Sequence, residues 1–265
     1  MQWFVIIATL LVLAIFLFIT PSGLLGKADG IGYAVCHRID HRSFRVLERQ
    51  MPLCARCTGE FNAAALTLIY LSLVHRKRSS MPSKGILAIL MIFFLAFGID
   101  GLNSYLFLLK QMYENFLPEI SNIYIPSNTL RLLTGSGMGL SMASMLFPIA
   151  NQTIWRDLDD RPSMSWKTFA GIVGIILLVD LGILSEQPVI LYLISFLSAL
   201  GVLCLLMMVF SIVWIIIMRQ ENSFSMYRQL WMPVLAGLTL TFLMISVIDL
   251  LRLNLTGTWG GFPLG

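Results

Sequence analysis

Residues 189–218 read VILYLISFLSALGVLCLLMMVFSIVWIIIM, an apolar run without a single charged side chain. A helix needs roughly 20 apolar residues to cross the hydrocarbon core of a bilayer, and this run exceeds that length. In lipid the backbone must satisfy its own hydrogen bonds, so a single span of this kind is a helix.

Six further runs lie between charged or turn-forming residues: 2–20, 59–75, 86–109, 129–150, 167–185 and 230–252. Composition agrees, because 57% of the 265 residues are hydrophobic and only 12% are charged, far from the soluble norm. The expected fold is all-α, a polytopic bundle of about seven transmembrane helices forming a single membrane domain over 1–265. The first run lacks the basic flank of a signal peptide and reads as an anchor. Phosphate-binding glycine patterns are absent, and RKR at 76–78 is a topology signal between two spans, which argues against a nucleic-acid partner.

Loop charge sets orientation. Arg76, Lys77, Arg78, Lys84, Arg156, Arg161, Lys167, Arg219 and Arg228 fall in loops on one side, whereas the opposing 110–128 and 185–188 loops hold only Lys110. The basic side is expected to be cytoplasmic. That places the segment 27–58 on the outer face, although Lys27, Arg38, Arg42, Arg45, Arg49 and Arg56 locally oppose the rule.

Ionisable residues inside spans are costly and mark sites or buried pairs. Here they are Glu60, Asp100, Arg131, Asp180, Asp249 and Arg252. With alternating topology all six fall in the half of the membrane nearest the 27–58 segment, which implies a polar cavity opening outward beneath it. The alternative is interfacial snorkelling with an Asp249–Arg252 pair at i,i+3. Gly98 and Gly101 flank Asp100 and would admit a neighbouring backbone, while Gly135 and Gly139 form a GxxxG spacing. Arg131 could bind Asp100 or Glu60, or serve as the fork that holds a carboxylate or phosphate.

The segment itself, CHRIDHRSFRVLERQMPLCARCTGE at 36–60, holds three of the four cysteines. One reading is a tetrahedral metal site, zinc above all, in which Cys54 and Cys57 form a CxxC knuckle and Cys36 with His37 or His41 completes the set. Glu60 would then be a candidate general base. A second reading is a thiol-disulfide or quinone-coupled oxidoreductase, its thiolates favoured by Arg56 and a helix N-terminus. A third is a plain disulfide staple. Cys204, within the 189–218 run, reads as a small buried hydrophobe.

The pattern C-H-R…R-S-F…P-L-C-A-R-C-T-G, with D-G-x-N at 100–103 and N-x-x-R-x-x-T-G at 128–135, resembles a prokaryotic family of predicted integral membrane proteins of unknown function. The resemblance covers 36–139 and implies that Cys36, His37, Arg42, Ser43, Phe44, Pro52, Cys54, Arg56, Cys57, Thr58, Gly59, Asp100, Asn103, Asn128, Arg131, Thr134 and Gly135 belong to one unit. It brings no known activity. Within it, Glu60, Asp100 and Arg131 are the catalytic candidates, and Arg42, Arg56, Asn103, Asn128, Arg131 and Thr134 the candidates for binding an anionic or lipid-borne substrate. The helices of 167–252 lie beyond this core. They suggest a third class of function, a non-catalytic subunit docked to other membrane proteins.

Overall fold

The computed structural model describes residues 2–113, 117 and 119–261, so part of the expected 110–128 loop lies outside the described residues. Among the described residues seven helices are long and apolar enough to cross a membrane. They are α1 (Gln2–Ile19), α3 (Ala55–Val74), α4 (Lys84–Met112), α5 (Asn128–Ile154), α6 (Trp166–Leu184), α7 (Pro188–Ile217) and α8 (Trp231–Thr256). Local chemistry marks several ends. The Ser127 hydroxyl accepts from the Leu130 N–H at 3.2 Å to cap α5, and Pro188 opens α7, where its missing N–H costs nothing.

An eighth helix, α2 (Leu24–Val35), was not visible as a periodic run. The sequence GKADGIGY reads as loop because glycine weakens a helix. Its small residues instead let it sit close to its surroundings: a Cβ on Gly32 would strike the Pro52 carbonyl. The 27–58 segment is therefore a loop only after Val35. Beyond it come a 3-10 turn (Asp40–Arg42) and a hairpin of β1 (Arg45–Val46) and β2 (Arg49–Gln50).

The bundle is organised on α3 and α5, which start at the same end and run parallel. A Cβ on Gly135 would meet the Arg56 carbonyl and one on Gly139 the Glu60 carbonyl, while Gly59 abuts the Leu132 carbonyl. The GxxxG spacing is thus a backbone-to-backbone seam. Gly98 behaves otherwise, with open space beside it, and Gly101 faces only the Arg56 guanidinium, 3.8 Å from where a Cβ would lie. The expected helix approach at these two glycines does not occur; Gly101 makes room for an arginine.

At one end the basic loops gather. β3 (Arg78–Ser80) pairs in parallel with β4 (Asp159–Pro162), Trp155 bridges Phe224, and Lys77 Nζ donates to the Ser225 carbonyl at 2.7 Å. At the opposite end the cysteine segment is tied to helix ends. Arg42 donates to the Ser104 carbonyl at 3.1 Å, and Tyr33 donates to the Thr258 carbonyl at 2.7 Å. The basic loops and the cysteine segment thus lie at opposite ends of the bundle, as the alternation of the spans implies.

Candidate functional site

The three clustered cysteines come from two elements. Cys36 follows α2, Cys54 is the residue before α3, and Cys57 lies in the first turn of α3. Their sulfur atoms lie within 4.8 Å of one another and all three thiols are free. Cys36 Sγ accepts two backbone N–H groups, from Arg38 at 3.4 Å and from Cys54 at 3.3 Å. The first requires Arg38 to adopt a left-handed φ of 52°, a strain of about 1 kcal/mol or more for an L residue. Gln50 holds that turn by donating to the Arg38 carbonyl at 2.8 Å.

The thiols differ in acidity outside the membrane span. Hydrogen bonds from Cys36 and Cys57 pull the Cys54 thiol well below its ordinary value, whereas Cys36, sharing its proton with Cys54, is pushed up to about 12. A second thiolate in so small a space would be opposed by the first unless a cation lay between them.

Neither histidine joins the sulfur cluster. His37 lines the cavity described below, and His41 lies in the 3-10 turn, its Nε2 3.4 Å from the Arg42 Nε–H. Burial and the neighbouring Arg42 and Arg131 charges lower the His41 pKa. Cys204 is exposed, on the lipid side of α7 rather than in the core.

Beside the thiols lies a cavity of ≈ 350 Å³, bounded by the cysteine segment, the head of α3, α4 and the start of α5. Arg42, Arg56, Arg131 and Glu60 line it together with the three cysteines. The remaining polar candidates stand behind this wall. Asp100, almost wholly buried, forms an ion pair with Arg56, and its other oxygen accepts from Tyr124 at 2.7 Å. Thr134 donates to Asp100 at 3.3 Å, and Asn128 accepts from Arg131 at 2.9 Å. Asn103 pins the chain before α5, its amide donating to the Tyr124 carbonyl at 2.9 Å. Asp100 thus belongs to Arg56, leaving Arg131 without a carboxylate partner among the described residues.

Two spans' ends also differ from expectation. Arg252 reaches the segment, donating to the carbonyls of Tyr33 at 2.5 Å, Cys36 at 2.6 Å and His37 at 3.0 Å. Both oxygens of Asp249 lack hydrogen-bond partners among the described residues. Asp180 accepts from Ser136 at 2.9 Å and borders a separate apolar cleft, away from the thiols. Sequence reasoning also missed Asp29, which accepts from Arg38 at 2.9 Å and from Arg49 at 2.5 Å. Nothing in its glycine-rich context marked it.

No curated protein and no solved structure matches the chain. Residues 36–145 match the sequence model of a family of unknown function, as the resemblance in the cysteine segment implied. That stretch contains the three thiols, the cavity-lining Arg38, Arg42, Arg56 and Arg131, Glu60 and residues that support them. The multi-helix membrane protein therefore carries, over residues 36–145, the region described as predicted membrane protein (DUF2085).

Proposed function

We propose that Cys36, Cys54 and Cys57 hold one zinc ion at the wall of the arginine-lined cavity, and that the site acts on an anionic molecule bound there. The convergence of three sulfurs carries the reading. Tetrahedral zinc with Zn–S near 2.3 Å places thiolates about 3.8 Å apart, so sulfurs already within 4.8 Å need to contract by about 1 Å or less. The donor set also suits the ion, since one buried and two half-buried thiols, two backbone N–H groups on Cys36 Sγ and a nearby helix N-terminus are the supports of a thiolate site.

A zinc ion bound to three thiols would have one coordination position left for His37, water or a ligand, and when bound it would supply Lewis acidity. The chain's own residues do the rest. Arg42 and Arg131 attract and orient an anion, and Asp100 holds Arg56 in place through three hydrogen bonds from the guanidinium, two to its carboxylate and one to its main-chain carbonyl. Glu60 is the one carboxylate lining the cavity among the described residues, placed to hold or take up a proton.

The test is metal content and thiol state on one preparation. Protein purified without chelator is expected to contain stoichiometric zinc that is lost in Cys54→Ser and Cys57→Ser. Alkylation of intact cells should label the thiols only after chelation. A reversible Cys54–Cys57 disulfide with no metal would support the oxidoreductase reading instead.

A further inference from the structure

Within this cavity, two guanidinium groups lack a neutralising carboxylate among the described residues. Arg56 is matched by Asp100, but among the described residues Arg42 donates only to the Ser104 carbonyl and to His41, and Arg131 only to the Asn128 side chain. Arg131 is 5 % exposed and its Nε has no hydrogen-bond partner among the described residues, although the side chain lines the cavity. A buried cation in that condition costs several kcal/mol unless a counter-charge is supplied. Arg42 shows the same crowding, its pKa lowered by burial and by the Arg56 charge.

The opposite wall is apolar. Phe97, Gly101, Tyr105 and Leu108 share one stripe of α4 at helical spacing and line the cavity. Tyr105 is 59 % exposed on the surface of a membrane-spanning helix, with Leu102 beside it at 74 %. The cavity therefore has a cationic floor and a rim on the lipid-facing side of α4. A small hydrophilic anion would have no use for that rim.

We propose that the cavity binds the phosphate monoester headgroup of a membrane lipid, with Arg131 and Arg42 on the phosphate oxygens and the acyl portion passing over Tyr105 into the bilayer. A phosphate monoester approaches two negative charges near neutral pH and so matches two unneutralised arginines, with the planar fork of each suited to paired oxygens. The proposal names the substrate class of the cavity and rests on that part of the functional reading. Binding itself does not require the metal.

The experiment is native mass spectrometry of the full chain released from phosphatidylcholine bilayers containing phosphatidic acid, with inorganic phosphate added as a competing arm. One phosphatidic acid per chain is expected to be retained over phosphatidylcholine. Arg131→Gln and Arg42→Gln should each weaken retention on the order of tenfold, the loss of a charge-assisted contact, with zinc content unchanged as proof of folding. Arg131→Lys should restore part of it. Stripping zinc from the wild-type chain with a chelator should leave phosphatidic acid retained over phosphatidylcholine, which separates failure of the metal site from failure of the lipid site. Retention no greater than that of phosphatidylcholine, or unaffected by both glutamine variants, overturns the proposal. Displacement by inorganic phosphate at concentrations equal to the lipid's would place the ligand in water and overturn its lipid origin.

Discussion

The carbonyl oxygen of Cys36 accepts a hydrogen bond at 2.6 Å from Nη1 of Arg252, 216 positions later in the chain. The same guanidinium stacks 3.9 Å from the Tyr33 ring centroid. One residue of α8, outside the family-matched region, thus fixes the turn that presents the first thiol. Arg252→Gln should destabilise the protein by about 2 kcal/mol, the scale of lost charged hydrogen bonds and a cation–π contact. Thermal unfolding in detergent should show a lower Tm, and metal titration should show weaker binding with all three cysteines intact.

The α3–α5 seam makes a sharper packing prediction. Gly135→Ala and Gly139→Ala each drive a methyl into a facing backbone carbonyl, which cannot swing aside as a side chain can. A loss of about 1–3 kcal/mol or outright misfolding is expected. Gly98→Ala has open space beside it and, in mid-helix, should be neutral or stabilising by up to about 1 kcal/mol. Comparing the folded yield and Tm of these variants checks the register directly.

Asp100 is the support on which Arg56 depends. Asp100→Asn keeps the volume but leaves a largely buried guanidinium uncompensated and weakens the contacts from Tyr124 and Thr134. Loss of one partner of a buried pair costs about 3–5 kcal/mol. Burial and the hydrogen bond to Asp100 push the Tyr124 phenol up to about 12, so ultraviolet titration of Asp100→Asn should show that phenol ionising at lower pH.

His75 supplies a pH signature at the far end of the bundle. Its Nε2 lies 2.8 Å from Thr168 Oγ1, and burial together with Arg78 lowers its pKa below 6.5. The unfolded chain then binds the proton more readily than the folded one. Stability is complete above about pH 6.5 and falls as pH drops through the lowered native value. Tm measured across this window should decline on acidification, and His75→Gln should flatten the decline.

The transmembrane spans were legible because bilayer thickness imposes a length and an absence of charge that the chain states openly in runs such as 189–218. The placement of Glu60, Asp100 and Arg131 near one another was legible from alternation alone. Partner choice was not. Arg131 and Arg56 enter the same cavity from two helices, and only the placement of α4 beside them, where Gly101 leaves room for the Arg56 guanidinium, gives Asp100 to Arg56. α2 was hidden because its stability comes from burial against other helices rather than from helix propensity. Asp29 and the partners of Arg252 were hidden because they involve backbone carbonyls or residues of a loop whose path depends on the finished fold.

Elemental analysis of the purified full chain, alongside Cys54→Ser, Cys57→Ser and Cys36→Ser, tests the central claim most directly. One zinc per wild-type chain, lost or sharply reduced in each variant while the helical signature persists, is the predicted result. Metal-free wild-type protein with freely alkylated thiols, prepared without chelator and supplied with zinc, would contradict it.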